Sequence, residues 1–260
     1  MSNYQYFNRD ISWLSCNYRV LEEAYRSDLP LYERIKFLAI YSNNLEEFYR
    51  VRVSYYRSIL RELPEDHPKR QRVQPNKIIQ KINRIVSRHQ AEFNDVFYNK
   101  IIPGLKDEGI ILIDRDDELS ERQEKYMKGI FNSEIMPTLQ PVLLAKKRVR
   151  PFLKTGHVYL VLKLFTRIRP FKNYTKGKIP KYGMIKLPTD HGVSRFVELP
   201  GDEQHYYIMF LEDLIMRYVG VLFPGYFIDS WYSIKITRDA DLEYEEYAET
   251  GVAAFIEGGK

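Results

Sequence analysis

Thirteen lysines and arginines fall between Glu134 and Asp190, and no aspartate or glutamate lies between those two residues. They are Lys146, Lys147, Arg148, Arg150, Lys154, Lys163, Arg167, Arg169, Lys172, Lys176, Lys178, Lys181 and Lys186. Uncompensated positive charge repels itself and lowers stability unless an anion or an acidic neighbour offsets it, and both side chains suit phosphate oxygens. The chemistry indicated is the handling of a polyanion. A second reading has the acidic stretch Asp239–Glu249 fold back over a basic surface. Tyr159, Phe165, Phe171 and Tyr174 are interleaved with the charges and would permit base stacking on single-stranded nucleic acid. Alternation along a strand would turn some of those rings inward, so nucleic acid is the less favoured polyanion.

A different chemistry is offered by Ser42-Asn43-Asn44-Leu45-Glu46-Glu47-Phe48, which sets poor helix formers inside an otherwise strong helix. An interruption or restart of the helix explains it without function. The functional reading is that adjacent amides, which both donate and accept, point into a site that reads a neutral ligand such as a purine edge. The five histidines show no metal spacing, and no phosphate-binding glycine loop, dinucleotide fingerprint or nucleophile elbow occurs. His89 falls on an apolar helix face, where a hydrogen-bonded core histidine is expected. Neither a catalytic residue nor a metal ligand is expected on this chain.

These groups sit in a chain of 260 residues with 44% hydrophobic and 29% charged residues and a mean hydropathy of −0.44. One large domain or two smaller ones fit that length. No run approaches the ~20 apolar residues of a membrane span, and the first twenty residues lack a secretory layout, so a cytoplasmic protein is expected, with association to a membrane left open. The lone Cys16 excludes internal disulfides and thiolate metal clusters. The net charge of +5 and pI near 9.0 matter only through their placement.

The elements that must position these residues differ between the two halves. Apolar spacing of three and four through Leu14, Tyr18, Leu21 and Tyr25, and again from Leu31 to Tyr49, gives helices. A third helix starts at Pro75 and should end near Pro103-Gly104. The LPEDHPKRQRVQP segment between the second and third reads as an exposed connection rather than a helix or strand. An antiparallel three-helix bundle is therefore expected over 1–105. From 106 to 260 an α+β domain with a mostly antiparallel sheet is expected. Its candidate strands are Gly109–Ile113, His157–Thr166, Tyr182–Leu187, Phe196–Leu199, Tyr206–Phe210 and Trp231–Thr237. Ser120 is placed to cap one helix, and Leu211 to about Leu222 forms another.

Two ordered blocks carry a family resemblance. The first is Phe7-Asn8-Arg9-Asp10-Ile11-Ser12-Trp13-Leu14-Ser15, then NYRVLEEA from Asn17, Pro30 to Arg34, and FLAIYSNNLEEF to Phe48. The second is Arg195 to Pro200, Phe210 to Ile215, Leu222 to Gly225, and Ile236 to Leu242. Together they resemble the N-terminal and middle, or head, domains of bacterial polyphosphate kinases over about residues 6–244.

The resemblance implies a dimeric, cytoplasmic kinase that transfers the ATP γ-phosphate, with Mg²⁺, through a phosphohistidine to inorganic polyphosphate and back. It implies that Asn44, the second asparagine of the SNN motif, contacts the nucleotide, which favours the site reading of that segment. Lys146, Lys147, Arg148, Arg150, Lys154, Arg167 and Arg169 would then line the path of polyphosphate. The phosphohistidine and metal ligands belong to C-terminal domains of that family, so this chain alone is expected to be inactive. Alternatives are a non-catalytic dimerisation fragment, or a single-stranded nucleic-acid-binding module using 146–186. Beyond about Glu246 the tail departs from the family, and the head domain is expected to be incomplete there. Cys16 replaces the usual phenylalanine, and a buried, unfilled gap would cost on the order of 2–4 kcal/mol.

Overall fold

A computed structural model describes residues 7–144, 153–168 and 175–238. The chain forms two compact units, the first of Met1–Leu105 together with Thr237 and Arg238 among the described residues, the second of Lys106–Ile236. In the first, α1 (Arg9–Glu23) starts where the Asn8 side chain accepts hydrogen bonds from the backbone of Asp10 and Ile11, which satisfies two of the free N–H groups of the first turn. α2 (Leu31–Phe48) runs through Ser42-Asn43-Asn44 without a break. The interruption that one reading of the segment offered is absent, because tertiary packing of Leu38, Tyr41 and Phe48 outweighs the weak propensity of three residues. A widened, π-type turn at Tyr49–Val53 leads into α3 (Ser54–Glu62).

Two expectations fail in this unit for identifiable reasons. The connection contains a short helix, α4 (Pro68–Val73), since His67 accepts a hydrogen bond from Lys69 N and Pro68 takes a first-turn position that needs no N–H. α5 (Pro75–Val96) does not end near Pro103. It passes through a second widened turn, Phe97–Ile101, into α6 (Ile102–Asp107), so the proline, with its missing donor, falls in the first turn after the irregularity.

The core of the unit has two layers. Leu14 meets Phe48, Tyr56 and Ile82 in one, and Leu21 meets Leu38, Tyr41 and Val96 in the other. Moving up α1 therefore means moving down α2 and up α5, which is the expected antiparallel bundle. Cys16 is exposed, so it leaves no buried gap where the resemblance would place a phenylalanine.

The second unit is α+β, with two sheets among the described residues rather than one. β1 (Ile110–Ile113) is followed by α7 (Glu121–Ile130), β2 (Val142–Leu144), β3 (Val158–Ile168), β4 (Thr175–Lys186), β5 (Phe196–Leu199) and β6 (Tyr206–Phe210). Then come α8 (Leu211–Arg217), α9 (Val219–Leu222) and β7 (Tyr226–Lys235). The order β2-β4-β3-β7 is antiparallel throughout, whereas β1-β6-β5 has a parallel β1–β6 pair beside an antiparallel β6–β5 pair. Leu160, Leu162 and Leu164 point from β3 into a core shared with Ile185, Met209 and Leu214. The single helix expected from Leu211 to Leu222 is divided at Tyr218, whose backbone (φ −106°, ψ 8°) leaves the helical region. β7 begins five residues ahead of Trp231, and the three-residue β2 was not expected.

Candidate functional site

In the helical unit a cleft of about 490 Å³ opens between α1 and the C-terminal part of α2 with the widened turn behind it. Arg9, Asp10 and Trp13 come from α1, Asn44, Glu47 and Phe48 from α2, and Val51 and Arg52 from the turn. Each set lies on one helix face, as spacings of three and four require. The Trp13 ring stacks on Phe48 with centroids 4.7 Å apart and planes 9° from parallel, giving the cleft a flat aromatic wall.

The polar groups are held in order around that wall. Tyr56 donates its hydroxyl to Asp10 Oδ2 at 2.6 Å. Burial, and next that hydrogen bond, push the Tyr56 hydroxyl up to about 12. Arg9 Nε and Arg52 Nε stand 3.9 and 3.7 Å from Asp10 Oδ1, and Glu47 accepts from Arg50 at 3.0 Å. Two cations and two carboxylates line the cleft, so it has no strong field of either sign. A flat ring edged by amides suits it better than a phosphate chain does.

Asn44 donates from Nδ2 to Asn17 Oδ1 at 3.0 Å, and Asn17 donates from Nδ2 to the Tyr41 carbonyl at 3.2 Å. Asn17 is buried, at 3% exposure, whereas Asn44 is partly open to the cleft. The two adjacent amides were expected to share a site, but only Asn44 lines the cleft. Asn43 is exposed, and Ser42 borders a separate apolar depression between α2 and α5. Arg9, Asp10, Trp13, Asn17 and Arg52 were not singled out from the sequence. The signal of the α1 residues was present as polar and aromatic residues at helical spacing within the block that opens that helix, whereas Arg52 comes from the turn after α2 and carried none.

Of the proposed cation path, Lys154 and Arg167 are exposed, while Lys146, Lys147, Arg148, Arg150 and Arg169 lie outside the described residues. Lys154 precedes β3 and Arg167 is next to its last residue; eleven residues of strand span about 35 Å, so these two are not brought together. Arg167 lies over the Phe227 ring at 4.8 Å. Two cations of the acid-free window find carboxylates from outside it: Lys163 pairs with Asp229 at 2.9 Å across β3 and β7, and Lys186 pairs with Asp190. Asp229 sits where the β3–β7 register shifts, a position that local sequence does not reveal. Tyr159 is buried with its hydroxyl accepting from Lys154 N, so it is no stacking platform. Phe171, Tyr174 and the acidic stretch from Asp239 lie outside the described residues.

His89 is buried, stacked on Tyr18 at 4.6 Å, and its Nδ1 has no hydrogen-bond partner among the described residues, contrary to the bonded core histidine expected. Among the described residues, no group of three or more His, Cys, Asp or Glu side chains gathers as a metal site, and no helix is long and apolar enough to cross a membrane.

Residues 6–113 match the family model described as polyphosphate kinase N-terminal domain, and 122–258 match the polyphosphate kinase middle domain. The second match runs through the tail beyond Glu246 that was expected to depart from the family. A polyphosphate kinase of Bacillus cereus is 32% identical over 97% of this chain and 35% of its own length. One of Exiguobacterium sibiricum is 34% identical over 96% of this chain and 33% of its own. The crystal structure of polyphosphate kinase from Porphyromonas gingivalis superposes with a TM-score of 0.80 at 40% identity, covering 92% of this chain and 34% of that one. The chain thus spans about a third of the length of the relatives it matches.

Proposed function

Because the chain belongs to the polyphosphate kinase family, we propose that it supplies the adenine-side nucleotide contacts of an enzyme that moves the ATP γ-phosphate to and from inorganic polyphosphate. One observation supports this above the others: Asn44 lines a cleft walled by the Trp13–Phe48 stack. A purine laid against Trp13 gains stacking, and its edge meets the Asn44 amide. Arg9 and Arg52, at the same cleft and both open to solvent, are the cations within reach of the attached phosphates.

In this reading residues 1–105 are the helical nucleotide-side domain and 106–260 the head domain. Lys154 and Arg167, with Lys146, Lys147, Arg148, Arg150 and Arg169, are cations along the polyphosphate path. Phosphoryl transfer itself needs a phosphate-accepting side chain and charge stabilisation of the transferring group, for which no residue here is nominated. Mg²⁺ and the dimeric state are assigned to the whole enzyme, with no ligand or contact named on this chain.

The test is calorimetric titration of the chain with ATP and with tripolyphosphate. ATP should bind more tightly, and Asn44→Ala should weaken ATP by roughly 3- to 10-fold, the equivalent of one hydrogen bond, without changing tripolyphosphate binding. Equal affinity for the two ligands overturns the reading. Synthesis of acid-insoluble polyphosphate by the 260 residues alone at enzyme-like rates would overturn the assignment of the transfer step elsewhere.

A further inference from the structure

Asn17 is a polar side chain sealed into an otherwise apolar crossing of α1 and α2, one turn from Leu14 and Leu21 on the same face. Burying an amide is costly unless both ends are bonded, and both are. The identity of its partners fixes a direction. The Tyr41 carbonyl can only accept, so Asn17 must turn its NH₂ toward it. The Asn17 oxygen then faces Asn44, and because two oxygens cannot share a hydrogen, Asn44 must turn its own NH₂ inward. Among the described residues nothing bonds Asn44 Oδ1, and Asn44 lines the cleft, so Oδ1 is the acceptor this side chain has left unbonded there.

We infer that Asn17 is a positioning residue: it locks the Asn44 amide so that the cleft presents an acceptor, and thereby selects a purine carrying an amino group at C6. This rests on the nucleotide reading of the cleft and deepens it. A 6-amino purine offers a donor on that edge, whereas a 6-oxo purine offers an acceptor that would oppose Oδ1. The 6-oxo base could reach Oδ1 only through its N1–H, by sliding across the Trp13 face. An amide free to flip would serve either base; the Tyr41–Asn17–Asn44 chain removes that freedom.

The test compares ATP with inosine triphosphate, which differs at C6 and N1, by calorimetric titration of the full chain. The unaltered chain should prefer ATP by roughly 3- to 10-fold, the value of one hydrogen bond gained or opposed. Asn17→Leu removes both bonds and frees the Asn44 amide to flip, so the preference should fall below about 2-fold, chiefly because inosine triphosphate binds more tightly. Asn17→Asp, which when protonated donates to the Tyr41 carbonyl and still accepts from Asn44, should keep the preference at a pH low enough to hold that proton, which a merely space-filling role would not require. Should Asn17→Leu fail to fold by circular dichroism, Asn17→Ser, too short to reach Asn44, replaces it with the same expectation. The inference is overturned if the unaltered chain binds both triphosphates equally, or if Asn17→Leu or Asn17→Ser leaves the ratio intact. A ratio that depends on Asn44 but not on Asn17 sinks this inference and spares the nucleotide site. Failure of either triphosphate to outbind tripolyphosphate sinks the site itself.

Discussion

At the residue scale, the most exposed consequence of the packing concerns His89. It is enclosed by Tyr18 from α1 and Tyr41 from α2, with Arg88 and Glu92 on its own helix. Burial, reinforced by the Arg88 charge and opposed by Glu92, lowers its pKa below 6.5. A histidine whose folded pKa is depressed takes up a proton more readily when unfolded, so its contribution to stability is present above about pH 6.5 and is lost as pH falls through the folded value. The melting temperature of the chain should therefore fall between pH 7 and pH 5, and His89→Phe should flatten that slope relative to the unaltered protein; an unchanged slope contradicts the assignment. The opposite limb belongs to Tyr18, Tyr41 and Tyr56, each pushed up to about 12. Their neutral forms are favoured by the fold, so stability should decline as pH rises from about 10 through 12. Asn44 was legible through the motif it belongs to. Asn17 was not, because a lone asparagine beside Leu14 and Leu21 carries no mark of the carbonyl waiting for it on another helix.

At the element scale, legibility followed whether the deciding interaction was local. Ser120 and Gln123 form a reciprocal cap: Gln123 N donates to Ser120 Oγ at 3.3 Å and Ser120 N to Gln123 Oε1 at 3.1 Å. All of that lies within four residues, so α7 could be placed from sequence. Ser120→Ala should cost about 0.5–2 kcal/mol, read as a shift of the urea midpoint with unchanged slope. Gln123 Nε2 also donates to the Pro200 carbonyl, and Gln123→Ala should weaken the seat of α7 against the segment after β5 as well as the cap. Where the partner was distant, the reading failed. β2 is three residues long and exists because β4 pairs with it, the early start of β7 follows from its pairing with β3, and α2 passes through three weak helix formers because Tyr41 and Phe48 are anchored by the bundle. Gly109 shows the same dependence. Its φ is +76°, and a Cβ there would lie 2.5 Å from the Gln204 carbonyl, so β1 can approach β6 only with glycine at its entrance. Gly109→Ala should destabilise the α+β unit by about 1–3 kcal/mol and leave the helical unit's melting unchanged.

At the scale of the whole molecule, the two units divide the chemistry by charge. The helical unit's cleft balances cations against carboxylates and offers a flat aromatic wall, while the head domain carries the acid-free window. Folding neutralises part of that window: Lys163 and Lys186 are held by Asp229 and Asp190, so neither is free to meet a polymer without giving up a partner. Lys154 and Arg167 are exposed and have no carboxylate partner among the described residues, and Arg167 is steadied by the Phe227 ring, which leaves its guanidinium edge open. If the window serves polyphosphate, the two classes of cation must behave differently. Lys154→Glu with Arg167→Glu should weaken polyphosphate binding and flatten its dependence on salt, because fewer counterions are released when fewer cations meet the chain. Reversal of Lys146, Lys147, Arg148 and Arg150 should do the same. Lys163→Gln should leave affinity nearly unchanged and instead lower stability, since it removes the ion pair with Asp229. Competition with single-stranded RNA of equal charge separates the polymers: polyphosphate should win if phosphate alone is read, since Tyr159, one of the four rings interleaved with these cations, is buried and offers no face to a base, and an RNA that competes according to its base sequence would return the head domain to the nucleic-acid reading.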